Sequence, residues 1–94
     1  MLYMVIETFD VGIKAVYTRF QDKGRMLPDG LNYIDSWVSE DLHKCFQIMS
    51  CDDPTLIDTW IINWSDIVTF EVVPIMTSEA AITRVCVSSS DGTC

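Results

Sequence analysis

Basic side chains are scarce in this chain: six Lys and Arg stand against fourteen Asp and Glu, for a net charge of −8. They are scattered from Lys14 to Arg84, so no patch exists that would neutralise phosphates, and non-specific nucleic-acid binding is excluded. Long apolar runs are missing as well. None approaches the roughly 18 residues that a membrane-crossing helix needs, and no membrane partner is expected. The opening MLYMVIETFD has neither a basic n-region nor a small-residue cleavage site, and is not expected to be a signal peptide. No glycine-rich phosphate loop occurs, since Gly24 to Gly30 is followed by an extended segment and not by a helix whose amides would hold an anion. Metal-binding patterns are absent too. The four cysteines (Cys45, Cys51, Cys86 and Cys94) form no C-x-x-C pair. Cys45 and Cys51, six residues apart on one predicted strand, would be about 20 Å from each other, too far to bridge. Reduced thiols, a cytoplasmic location, and neither cofactor nor metal are the expectation. Histidine occurs once, as His43, in a predicted turn with no helix to bring Glu40 beside it, so it reads as a solvated turn residue.

What is present is a globular composition. The chain has 94 residues, 49% of them apolar and 21% charged, enough for one domain but few enough that a second copy would help bury surface. Leu2 to Thr8 reads as a strand. Ile13, Val16, Tyr17 and Phe20 recur at helical spacing, and Gly24 ends that helix. Pro28-Asp29-Gly30 is turn chemistry. Leu31–Glu40 and Lys44–Asp53 then form two strands of a hairpin. Asp53-Pro54 is a helix start, after which Leu56, Ile57, Trp60, Ile61 and Trp64 make one stripe. Ile67 to Ile75 is a last, β-branched strand, and Thr77 or Ser78 is placed to cap a short helix running through Arg84. The order β-α-β-β-α-β defines an α+β, ferredoxin-like domain, with a four-stranded antiparallel sheet and two helices on one face. It is expected to occupy residues 1–85, with 86–94 a flexible tail.

Two helices leave the other sheet face open, and that face should be polar if it met water. Assigning the wholly apolar sets Leu2, Met4, Ile6 and Val68, Phe70, Val72 to the helices leaves Tyr3, Val5, Glu7, Thr69, Glu71 and Val73 on the open face. The hairpin adds Tyr33, Asp35 and Trp37, and with an odd-numbered loop also Cys45, Gln47 and Met49. A four-residue loop would put Trp37 opposite Phe46 instead, and a β-bulge would shift the faces again. The surface so assigned is too apolar to stay wet. It predicts a homodimer packed sheet to sheet, enclosing Glu7, Asp35, Gln47 and Glu71, with Arg25 in the preceding loop as the donor for a buried carboxylate. Cys45 and Cys51 read as small hydrophobes, and Trp60 and Trp64 as core. Trp37 suits either a dimer core or a ligand wall.

Gly24-Arg25-Met26 with Pro28, Gly30-Leu31, Tyr33 and Ser36-Trp37-Val38 form a pattern. It continues in Cys45-Phe46-Gln47, Met49, Asp52-Asp53, Trp60, Trp64, Asp66, Phe70-Glu71 and Pro74. Over about Met1 to Ala81 this resembles a family of small bacterial proteins catalogued as domain of unknown function 3303. The resemblance implies a dimeric α/β barrel and no established activity. Barrels of similar build include cofactor-independent monooxygenases, haem-degrading enzymes and isomerases. The Asn, Trp and His set of the haem-degrading group cannot be placed here. The reading is therefore a homodimer that holds a small organic ligand, with Arg25, Tyr33, Asp35, Trp37, Gln47 and Glu71 as candidate contacts. An oxygenase- or isomerase-like enzyme using Asp35 or Glu71 as base, and a purely structural dimer, are the alternatives.

Overall fold

A computed structural model describes residues 1–86, so of the expected tail 86–94 all but Cys86 lies outside the described residues. The elements are β1 (Leu2–Phe9), α1 (Ile13–Lys23), β2 (Asn32–Val38), β3 (Lys44–Ser50), α2 (Thr55–Ile62), β4 (Val68–Ile75) and α3 (Ser78–Cys86). The sheet runs β2-β3-β1-β4 with every pair antiparallel. This is the ferredoxin-like arrangement, with one added C-terminal helix. None of its helices is long and apolar enough to cross a membrane.

The local signals act where the residues put them. Gly24 takes φ 66° and its N–H donates to the Phe20 carbonyl at 2.7 Å, closing α1. Asp53 Oδ1 accepts from the Thr55 N–H at 3.0 Å and from the Thr55 hydroxyl at 2.7 Å, so its side chain serves a free amide of the first turn of α2. The Thr77 hydroxyl accepts from the Ala80 N–H at 3.1 Å and caps α3. Gly30, with φ 93°, sits where a Cβ would come within 3.1 Å of Leu56, so the turn before β2 tucks against α2.

The face assignment needs correcting on β1. Tyr3, Val5, Glu7 and Phe9 are the buried set there, and Leu2, Met4, Ile6 and Thr8 the half-buried one. Val5 is paired with Val72 and Gln47, and Glu7 with Phe70 and Cys45. The side under the helices is therefore Tyr3, Val5, Glu7 and Phe9 with Cys45, Gln47, Met49, Val68, Phe70 and Val72. Glu7 and Gln47 pull a polarity-based reading toward the wrong side, because they face a cavity under the helices and not water.

The hairpin corrects the reading a second time. Ser39 N–H donates to the Lys44 carbonyl at 2.8 Å, leaving a four-residue loop Glu40–His43 in which Leu42 takes φ 62°. Trp37 consequently pairs with Phe46, not with Gln47. A bulge between Tyr33 and Asp35 then splits the expected trio: Tyr33 pairs with Met49 on the helix side, and Asp35 and Trp37 fall on the open side. The open face is Met4, Ile6, Trp37, Phe46, Ile48, Val73 and Ile75, interrupted by Asp35, Thr69 and Glu71.

Met49, Ile57, Val5 and Val68 are the largest side chains fully enclosed between sheet and helices. Replacing Met49 with Ala empties the volume of a thioether in this layer and removes the sulfur that accepts from the buried Gln47 amide. A loss of about 2–5 kcal/mol is expected, read as a lower urea midpoint at unchanged slope.

Candidate functional site

Three stretches of chain converge over the helix-side face near the Glu7 end of β1. α1 presents Val16, Tyr17 and Phe20, its apolar stripe. α2 and the turn after it present Trp60 and Trp64. The loop between α1 and β2 presents Arg25. Together with Glu7, Phe9, Ser36, Val38, Cys45 and Gln47 from the sheet they line a cavity of about 340 Å³. Tyr17 and Phe20 stay 49% and 39% exposed although they lie on the apolar stripe, because they face this space and not packed side chains.

The walls are anchored. The indole N–H groups of Trp60 and Trp64 both donate to the backbone carbonyl of Arg25, at 2.8 and 3.2 Å. Trp60 also meets Phe70 edge to face at 5.4 Å between ring centroids, which sets α2 against β4. Arg19 forks onto Asp66 with two bonds of 2.7 Å and donates to the Asn63 carbonyl at 2.9 Å, tying α1 to the turn that follows α2. The Arg25 side chain turns back to the cavity rim, its guanidinium carbon 3.7 Å from the Tyr33 ring centroid and 5.0 Å from that of Phe20.

The floor is chemically unusual. Glu7 is only 6% exposed and lies on an interior strand. Burial pushes its carboxyl up to about 7, opposed by the neighbouring Cys45 thiol and by the positive charge of Arg25. Cys45, its direct partner on β3, is pushed up to about 12 by burial and by the adjacent Glu7, with Arg25 acting the other way. That thiol is a poor nucleophile near neutrality. Gln47 is buried, and its amide nitrogen donates to the Met49 sulfur at 3.3 Å. The arrangement offers one carboxyl able to gain or lose a proton near neutral pH, the amides of Gln47 and, from α1, Gln21, the hydroxyls of Ser36 and Tyr17, and one guanidinium, within walls that are chiefly apolar. No cluster of metal-ligating side chains exists among the described residues.

Of the residues expected from sequence, Arg25 and Gln47 line the cavity, and Tyr33 supports Arg25 from β2. Asp35, Trp37 and Glu71 are exposed on the opposite face and are not brought together with them. Glu7 belongs at the centre of the site but was expected between two sheets. The signal for it was its neighbours: a carboxylate between Ile6 and Phe9 on a strand whose odd positions are Tyr3, Val5 and Phe9. Trp60 and Trp64 are core as expected, and they line the cavity as well.

A ferredoxin-like α+β domain with a cavity between its sheet and its helices is thus the class that fold and site define. A family model described as "Domain of unknown function (DUF3303)" matches residues 1–85, and the chain belongs to that family. No curated protein and no solved structure gives a significant match.

Glu7 also makes stability depend on pH. Its proton is held to about pH 7 in the folded chain but only to the ordinary 4.5 when unfolded. Its contribution is therefore fully present below pH 4.5 and is lost as pH rises through 7. Glu7→Gln should be more stabilising, relative to the parent, at pH 8 than at pH 5, by about 2–3 kcal/mol. Urea unfolding of both proteins at the two pH values measures this.

Proposed function

We propose that the protein is a small cytoplasmic homodimer that binds a small organic molecule in the cavity between the sheet and helices α1 and α2. The cavity itself carries this reading. Its size is at the lower end of small-molecule sites, and it combines aromatic walls with a few convergent polar groups, one of them a titratable carboxyl. Free buried thiols at Cys45 and Cys51 suit a reducing compartment.

Association is supported by the other face. A half-solvated antiparallel sheet turns polar residues to water, whereas the face turned away from the helices carries Met4, Ile6, Phe46, Ile48 and Val73. Trp37, 54% exposed, extends this surface on β2. α3 likewise leaves apolar residues uncovered, Ile82 and Val85 being 48% and 72% exposed. A second copy of the chain offers a matching surface of the same kind.

One observation favours an enzyme as a second reading. A carboxyl that titrates near neutrality inside a cavity is suited to general acid or base work. The base in that reading is Glu7, since Asp35 and Glu71 face away from the cavity. Glu7→Gln would then abolish turnover while sparing ligand affinity.

Two measurements check the proposal. Native mass spectrometry of the purified protein is expected to show a small-molecule adduct that Val16→Trp, which fills the cavity, removes. Light scattering is expected to give twice the chain mass of 10.7 kDa, reverting to the single mass in Ile48→Lys, which puts a charge at the centre of the open face. A monomer at high concentration with Ile48 intact would end the dimer reading.

A further inference from the structure

Arg25 has a property that the cavity alone does not explain. Its backbone is fully engaged, because its carbonyl oxygen takes both indole N–H groups. Its guanidinium is not. Among the described residues it donates no hydrogen bond to the protein, and the ion pair present is Arg19 with Asp66, not one at Arg25. The guanidinium carbon lies over the Tyr33 ring at 3.7 Å and over the Phe20 ring at 5.0 Å, contacts that hold the group in place without using its N–H donors. A fixed guanidinium with a free edge matches the two coplanar oxygens of a carboxylate.

The rest of the lining agrees. Arg25 is the one lining side chain with a permanent charge, Glu7 is the carboxyl that titrates near neutrality, and the remainder is chiefly aromatic and aliphatic. On the sheet floor the polar groups are the Glu7 carboxyl and the Gln47 amide, each able to meet a hydroxyl or an N–H. Resting on the cavity reading above, we infer that the ligand is a flat, single-ring-sized carboxylic acid bound as its anion. Its carboxylate is held by the edge of Arg25, and a hydroxyl or N–H elsewhere on the ring meets Glu7 and Gln47 on the sheet floor. The partner is thus an aromatic or cyclic acid, not an amine and not a neutral lipid.

This arrangement links binding to a proton. The titratable or charged groups around Glu7 are Cys45 on β3, Tyr17 on α1 and Arg25 in the loop, and α2 and β4 present only Trp60, Trp64 and Phe70 to it. A second negative charge in the cavity disfavours ionised Glu7, so the anion binds with uptake of a proton. Affinity falls as pH rises through the range where Glu7 titrates.

The test uses three matched fragment sets built on the same ring scaffolds: 4-hydroxybenzoate and its relatives, the corresponding primary amides, and the corresponding benzylamines. Binding is followed on the indole N–H resonances of Trp60 and Trp64, with Trp37 on the opposite face as an internal control. The expected result is that carboxylates shift Trp60 and Trp64 but not Trp37, and that the amides and amines bind at least about tenfold more weakly. Arg25→Gln should weaken the carboxylates by about tenfold or more. Its indole resonances should keep their positions in the free protein, because the Arg25 carbonyl is unchanged, which confirms that the variant is folded. Glu7→Gln should bind carboxylates equally at pH 6 and pH 8. Amides or amines binding as well as the acids, or Arg25→Gln leaving the acids unaffected, would overturn the anion assignment while leaving the cavity reading intact. Silence from all three sets at Trp60 and Trp64 would overturn both.

Discussion

Two indole N–H groups converge on one carbonyl oxygen, and the cavity depends on that junction. Trp60 and Trp64 are four residues apart, so α2 and its closing turn set both rings on one side. The Arg25 carbonyl has two lone pairs and both are used. The loop after α1 is thereby moored to α2 and does not collapse onto the sheet, with Met26 at φ 58° redirecting the chain just beyond the junction. α1 packs against the sheet through Val16, while Tyr17 and Phe20 are left facing open space. Rings that are tied to a carbonyl cannot also fill the volume above Glu7 and Gln47.

Electrostatics follows from this geometry. An interior strand is the driest place in a small sheet, and there a carboxylate either finds a cation in contact or takes a proton. Arg25 is near enough to favour the charged form of Glu7 but forms no ion pair with it, so burial prevails. The same burial holds Cys45 as a thiol, and the pair acts as a proton-holding floor and not as a nucleophile with its base. Within a chain of charge −8, this cavity is a local exception whose one permanent charge is positive.

The elements of the fold were legible because each is written locally. Gly24, Asp53 and Thr77 mark helix ends through backbone groups a few residues away, and the stripes on α1 and α2 follow from periodicity alone. The faces of the sheet were not, because they depend on what lies above them. Leu2, Met4 and Ile6 are more uniformly apolar than Tyr3, Val5, Glu7 and Phe9, yet it is the second set that meets the helices. Polarity sorts the faces of a strand only when one face meets a filled core and the other meets water, and neither condition applies here. One extra residue near Ile34 then separates Tyr33 from Asp35 and Trp37. Arg25 was found because a lone guanidinium stands out before an apolar hairpin, and Gln47 was named as a contact but assigned to the open face with Cys45 and Met49. Glu7 was placed on that same wrong side.

The corrected faces also change how association and binding relate. A ligand held between two sheets would make the pocket exist only in the dimer. Here a single chain forms a lined cavity by itself, between its sheet and its helices, and the open face is on the other side of the sheet. Any influence of a second copy on the cavity has to pass through β1 and β3, where Ile6 alternates with Glu7 and Phe46 with Gln47. Those strands are hydrogen-bonded on both edges, so they transmit small shifts in strand position and not rearrangements of side chains from one face to the other. The open face can therefore supply the burial that a chain this short lacks, while the chemistry of the cavity is set by α1, α2 and the loop that joins α1 to β2.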